Sequence, residues 1–174
     1  MIRLEQFLES DCDPLIAVVP DARFLLQWAG PNYRHPLDAT QLKRTLARAI
    51  GKQPSVKVFK AVLQTTSQVV GHIQLMNIDY DRECCRIGRV MIFPGHQGAG
   101  LGKEMVRLAV REAFDYLGLA EITLGVFDFN KAAIATYQRL GFEEYRLKIG
   151  AFTFRDEAWN LMEMRLINAS LGHA

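Results

Sequence analysis

The chain has 174 residues, of which 49% are apolar and 23% charged, with a formal net charge of +2. This length suits one domain around one substantial core, the composition is that of an ordinary globular protein, and the near balance of charge gives no case for bulk nucleic-acid binding. No apolar run reaches the roughly 20 residues of a membrane span, no signal-peptide stretch opens the chain, and the three cysteines read as core thiols in a reducing cytoplasm.

The first 54 residues hold five of the six prolines, so they are expected to be irregular and the remainder regular. A short strand at Ile2–Phe7 precedes broken helical pieces around Asp13–Val19 and Ala22–Trp28. A loop with Gly30, Pro31, Asn32 and Pro36 leads to a helix near Thr40–Ile50, capped by Asp38 or Thr40, with Leu42, Leu46, Ala47 and Ile50 on one face. Val56–Leu63 and Val69–Ile78 flank the turn Thr65–Gln68 and read as a hairpin, with Val69, Ile73 and Leu75 on one face and His72 and Gln74 on the other, polar one. The turn Asp79–Glu83 enters a strand ending in Val90-Met91-Ile92-Phe93, apolar throughout and expected to be buried on both faces. Cys84 and Cys85, adjacent on that strand, point to opposite faces and do not suit a disulfide.

A helix from Gly100 to Leu117 turns Met105, Leu108 and Ala109 inward and stops at Gly118. Ile122, Leu124 and Val126 alternate along the next strand, Asn130 caps a helix ending before Gly141, and strands near Phe142–Ile149 and Ala158–Leu166 complete the core. An antiparallel first half followed by strand–helix–strand–helix gives an α+β fold, a three-layer α/β/α sandwich around a mixed, mostly antiparallel sheet. No repeat or linker divides it, so one domain over 1–174 is expected.

Chemistry concentrates between Ile92 and Gly102, where a strand runs into a glycine-rich turn that opens a long helix. Gly98, Gly100 and Gly102 leave the backbone bare, and a helix start presents unpaired amides and partial positive charge. That combination seats a phosphate or pyrophosphate. A P-loop is excluded, because Gly102-Lys103 is followed by Glu104 and Gln97 stands where the leading glycine belongs. The dinucleotide fingerprint fails too, with Lys103 in place of the third glycine. His/Cys spacing suggests no metal.

What fits is Gln/Arg-x-x-Gly-x-Gly/Ala, matched by Gln97, Gly100 and Gly102, with Val126-x-x-x-Asn130-x-x-Ala133-x-x-x-Tyr137-x-x-x-Gly141-Phe142 downstream. On these motifs the chain resembles the GNAT superfamily of N-acetyltransferases. The resemblance implies that the glycine-loop strand and the next one splay apart, and that acetyl-CoA slots between them. Met91, Ile92 and Phe93 would pair with the pantetheine arm, and the amides of Gln97, Gly98, Ala99, Gly100, Leu101 and Gly102 would hold the diphosphate. Lys103, like Arg107 and Lys131, would meet the 3′-phosphate or be solvated surface. Asn130 would reach the cofactor or simply cap its helix.

The resemblance also implies Tyr137 as the acid that protonates the departing thiolate, with a strand amide near Ile92 polarising the carbonyl. Glu83 is the chosen general base, with Asp79, Asp81 and His72 as alternatives. Trp28, Tyr33 and Trp159 fall where this family shapes its acceptor cleft, though each also suits a core. Deprotonating a lysine-like amine of pKa about 10.4 at pH 7 costs ~4.6 kcal/mol, against ~1 kcal/mol for an α-amine near 7.8. A site without a strong base therefore favours a peptide N-terminus, in keeping with a pattern like the branch that includes ribosomal-protein N-terminal acetyltransferases. The alternatives are a small amine (polyamine, amino acid or aminoglycoside) and a non-catalytic acyl-CoA-binding module. Charge does not decide: residues 1–40 carry six acidic and three basic side chains, whereas 41–70 carry six basic and no acidic ones. The expected partners are acetyl-CoA and an amine acceptor, without nucleic acid or membrane, for a monomer or homodimer.

Overall fold

The computed structural model describes residues 1–169. Seven strands form one sheet: β1 (Ile2–Gln6), β2 (Val56–Leu63), β3 (Val69–Asp79), β4 (Cys84–Ile92), β5 (Glu121–Phe127), β6 (Glu143–Phe154) and β7 (Glu157–Ile167), in the spatial order β1-β2-β3-β4-β5-β7-β6. Only β4 and β5 run parallel; every other neighbouring pair is antiparallel. Helices α1 (Cys12–Ala17), α2 (Ala22–Ala29) and α3 (Ala39–Ala47) pack on one face, and α4 (Leu101–Arg111) and α5 (Lys131–Arg139) on the other. The sandwich expected from the sequence is therefore present. Among the described residues no helix is long and apolar enough to cross a membrane.

Local chemistry explains the helix ends. The side chains of Asp21, Asp38 and Asn130 each accept a backbone N–H three residues on, which starts α2, α3 and α5. Of the two candidates for α3, Asp38 does the capping. That helix ends sooner than its apolar spacing suggests, and Ile50 lies outside it, 78% exposed. Beyond Arg111 the chain continues as a π-helical turn, Glu112–Tyr116, until Gly118 takes the left-handed conformation at φ 67°.

Two cores share the sheet. Under α4 and α5 lie Ile73, Leu75, Cys85, Ile87, Met105, Ile122, Leu124 and Met164; under α1–α3 lie Phe7, Leu15, Leu25, Leu42, Val58, Met91 and Phe93. The second layer corrects one expectation: His72 and Gln74 do not form a wet face but are fully buried beneath it. A β-bulge explains how β4 serves both cores. Gln74 faces Gly88 and His72 faces Met91, so β4 carries one extra residue there. Arg89 absorbs it in the left-handed conformation, φ 51°. The face therefore switches, with Cys85 and Ile87 packing under α4 but Met91 and Phe93 under α2 and α3. Val90 and Ile92 are only half-buried, contrary to the uniform burial expected, because they border an opening in the sheet.

The late hairpin is longer than the sequence suggests. Gly150 looks like a terminator, yet it sits in β6 at φ 58° beside a register shift between Lys148 and Phe152, and its N–H donates to Asn160 Oδ1. Leu124 is 1% exposed at the centre of the first core. Leu124→Ala is expected to lower unfolding free energy by about 2–5 kcal/mol in urea titrations; a loss below about 1 kcal/mol would contradict this packing.

Candidate active site

Pairing between β4 and β5 covers only Cys84–Ile87 against Glu121–Leu124, although β4 continues to Ile92 and β5 to Phe127. Past Ile87 the two strands part and leave a cleft of about 220 Å³. Its walls include Met91, Ile92, Gln97, Val126, Asn130 and Tyr137, and α2 contributes Gln27 and Trp28. These come from four elements and one loop, far apart in sequence.

The backbone of Ile92 faces this cleft. The N–H of Phe93 donates to the carbonyl of Val70 at 2.9 Å, which makes that pair hydrogen-bonded, while Ile92 stands opposite Gly71 in the register. Antiparallel pairs alternate, so the N–H and C=O of Ile92 point away from β3 towards the missing contact with β5. Gln97 Nε2 donates to that carbonyl at 3.2 Å. The N–H remains a donor at the mouth of the cleft. Phe93 is different, since its amide is taken by β3 and its side chain is core.

The glycine loop lies against the same residue. Gly98 and Gly100 adopt φ of 82° and 75°, the left-handed region that glycine occupies without strain. Gly102 is different: it is helical, and a Cβ there would make only an ordinary contact with Ile92 Cγ1, at 3.7 Å. Helix α4 begins at Leu101 with no side-chain cap, unlike α2, α3 and α5. The amides of Leu101, Gly102 and Lys103 have no intrahelical acceptor, and the helix dipole adds positive potential. Gly98, Ala99 and Gly100 are exposed, as is Lys103. Arg107 is occupied by Glu104, at 2.7 Å.

Tyr137 lines the cleft from α5, packed edge-on against Phe142 at 6.0 Å between ring centroids. Burial pushes its phenol up to about 12, so it stays protonated throughout the accessible pH range. Asn130 caps its helix, its Oδ1 accepting from Ala133 N at 3.2 Å, and the residue also lines the cleft.

Other expected site residues fall elsewhere. Glu83 is exposed at the opposite end of β4, roughly 30 Å from Ile92 at the usual strand rise; its carbonyl anchors the start of β5 by accepting from Ala120 at 2.7 Å and Glu121 at 3.1 Å. Asp79 and Asp81 share that end. His72 is enclosed between Phe7 and Trp28, with ring centroids 4.8 and 5.6 Å away. Burial, with the nearby charge of Arg89, pulls its pKa to about 3. Neither a carboxylate nor a histidine is among the residues lining the cleft. Trp159 packs with Phe127, Phe129 and Phe154 under the Arg23 guanidinium and lies behind the wall. Trp28 does line the cleft, and Tyr33 lies beneath Arg89, whose guanidinium carbon is 4.1 Å from the ring centre. Arg89 itself escaped the sequence reading, since only its place on the bulge turns it inward.

A model of the acetyltransferase (GNAT) family matches residues 22–142. Spermidine N(1)-acetyltransferase of Vibrio cholerae is 30% identical over 76 residues, 44% of this chain and 43% of that protein, so the likeness spans less than half of the relative. The crystal structure of spermidine N-acetyltransferase from Vibrio cholerae in complex with CoA and spermine aligns at TM-score 0.82 and 18% identity over 95% of each chain. A dodecameric structure of the Vibrio cholerae spermidine enzyme aligns at TM-score 0.77 and 19% identity, over 95% of this chain and 93% of that one. At such identities the structures speak for the fold. These relatives are polyamine acetyltransferases, not members of the ribosomal-protein N-terminal branch that the sequence pattern suggested. With the family model spanning 22–142 and the glycine loop, parted strands and Tyr137 in place, the chain belongs to the acetyltransferase (GNAT) family.

Proposed function

We propose that this chain is an acetyl-CoA-dependent N-acetyltransferase acting on a small primary amine. The observation that carries the reading is the parting of β4 and β5, which sets the free N–H of Ile92 beside Tyr137 and the uncapped start of α4. The amides of residues 97–102 suit a diphosphate, and the open edge of β4 suits an extended arm that pairs with it like another strand. The likeness to spermidine acetyltransferases supports a small amine over a peptide N-terminus.

In the proposed reaction the amine nitrogen attacks the thioester carbon, forming C–N and breaking C–S. The Ile92 N–H donates to the developing oxyanion. Tyr137 gives its proton to the leaving thiolate and recovers one from water. With the phenol at about 12 and a thiol near 8.5, that transfer is uphill by about 5 kcal/mol in isolation. Burial of the leaving sulfur between the parted strands reduces the gap, because desolvation raises the thiol as well. No wall residue acts as a base, so the amine arrives deprotonated or loses its proton to water.

Tyr137→Phe is expected to lower kcat by roughly 100-fold with little change in the KM for acetyl-CoA; an unchanged kcat in a folded variant would remove the assignment. The pH profile gives a second check. A phenol raised to about 12 by burial keeps its proton as pH rises, so the rate should climb with the free-amine fraction from pH 7 to 10 and show no Tyr137-dependent fall. An alkaline limb below pH 10 that disappears in Tyr137→Phe would contradict the buried phenol.

A further inference from the structure

Arg89 is 9% exposed, and among the described residues it makes no ion pair. Its guanidinium lies over the Tyr33 ring, and Nη1 donates to Gln74 Oε1 at 2.6 Å. Gln74 in turn meets His72 Nε2 at 3.0 Å. Because an arginine N–H can only donate, the Gln74 oxygen must face Arg89 and its amide nitrogen must face the ring. His72 is thus an acceptor at Nε2. The polar chain stabilises the orientation of the guanidinium but offers it no negative charge, and its buried Nε finds no acceptor at all.

A buried cation without an anion is costly. Arg86, three residues before the bulge at Arg89, shows the usual solution: it crosses β5 over Gly125, where a Cβ would lie 2.3 Å from Nη2, to reach Glu163 at 3.7 Å. Arg23 likewise has Glu157, at 2.7 Å. Arg89 has the opposite surroundings. It borders the acyl-transfer cleft and also a larger cavity of about 1050 Å³ that contains Arg34, Arg44 and Arg48. None of those three makes an ion pair among the described residues. The carboxylate there, Asp38, is engaged in capping α3, where Gln41 N donates to it at 2.9 Å. A narrower space along Trp28, Gly88 and Arg89 runs beside both.

We infer that the acceptor amine carries an anionic group, carboxylate or phosphate, which Arg89 receives at the junction of the acyl-transfer cleft and the arginine-lined cavity. The inference rests on the acetyltransferase reading and names the acceptor class for that site. A guanidinium already held by ring and amide matches the geometry of a carboxylate or phosphate, and low polarity strengthens the pair. Arg34, Arg44 and Arg48 extend the attraction outward and draw anions in. Polyamines meet the reverse field. Their distal ammonium groups would approach four arginines with no free carboxylate, so this chain differs in acceptor from the spermidine enzymes whose fold it shares.

The test is thiol release at saturating acetyl-CoA with amines of similar length and different tails: n-butylamine, γ-aminobutyrate, β-alanine, phosphoethanolamine and spermidine. The carboxylate and phosphate members distinguish the two forms of the anion. The expected result is a kcat/KM at least tenfold higher for an anionic amine than for n-butylamine or spermidine. In Arg89→Gln that ratio should collapse by roughly thirtyfold or more, mainly through KM for the anionic amine. Arg48→Gln, on the wall of the cavity, should lower the same ratio several-fold, and it serves if Arg89→Gln does not fold. Preference for spermidine, or a ratio unaltered in both variants, overturns the inference while leaving the acetyltransferase intact. Absence of acetyl-CoA binding and of turnover with every amine overturns the underlying reading and this inference together.

Discussion

A parallel strand pair that stops pairing halfway organises this molecule. Four positions hold β4 to β5; past them, each strand keeps its other neighbour but loses this one. A sheet interior cannot leave backbone donors unpaired without cost. The structure limits the cost by opening the gap to solvent and by letting Gln97 satisfy the Ile92 carbonyl. What remains is a directed N–H at the end of a strand, next to a helix start that no side chain caps. Both are donors, and both suit the electron-rich ends of a thioester carrier. The candidate site is thus made from hydrogen bonds that the fold omits.

The bulge at Arg89 is the second device. By adding a residue to β4 it turns Met91 and Phe93 into the α1–α3 core, so the last turn of strand before the glycine loop is anchored from that side. The same bulge directs a guanidinium towards the α1–α3 side of the sheet, over Tyr33 and against Gln74. A left-handed, non-glycine residue is strained. It persists here because the pairing of β4 with β3, the Gln74 side-chain oxygen and the Tyr33 ring over-determine its position.

Strands β2 and β3, the caps at Asn130 and Gly118, and the inward face of α4 could all be read in the chain, because their signals are local: alternation, a capping side chain, a glycine at positive φ. The glycine loop and Tyr137 also stood out, through spacing that matches a family. Residues whose role depends on what packs over them did not. His72 and Gln74 alternate with apolar neighbours and look solvent-facing until α1–α3 cover them. Glu83 is near the site in sequence terms, one strand before the loop, but nine residues of extended chain put it at the far end of the sheet. Trp159 and Trp28 are indistinguishable by type, and only the fold places one behind the wall and the other on it. Arg89 was invisible because a bulge changes strand parity without any glycine to mark it.

The account stands or falls on the seat formed by the open edge at Ile92 and the amides that begin α4. Calorimetric titration of the full chain with CoA, and with pantetheine as the matched arm lacking the diphosphate and nucleotide, addresses it directly. CoA should bind with a single-site isotherm, and pantetheine should bind at least 100-fold more weakly, since several amides act together on the diphosphate. No heat with CoA, or equal affinity for both ligands, would contradict it.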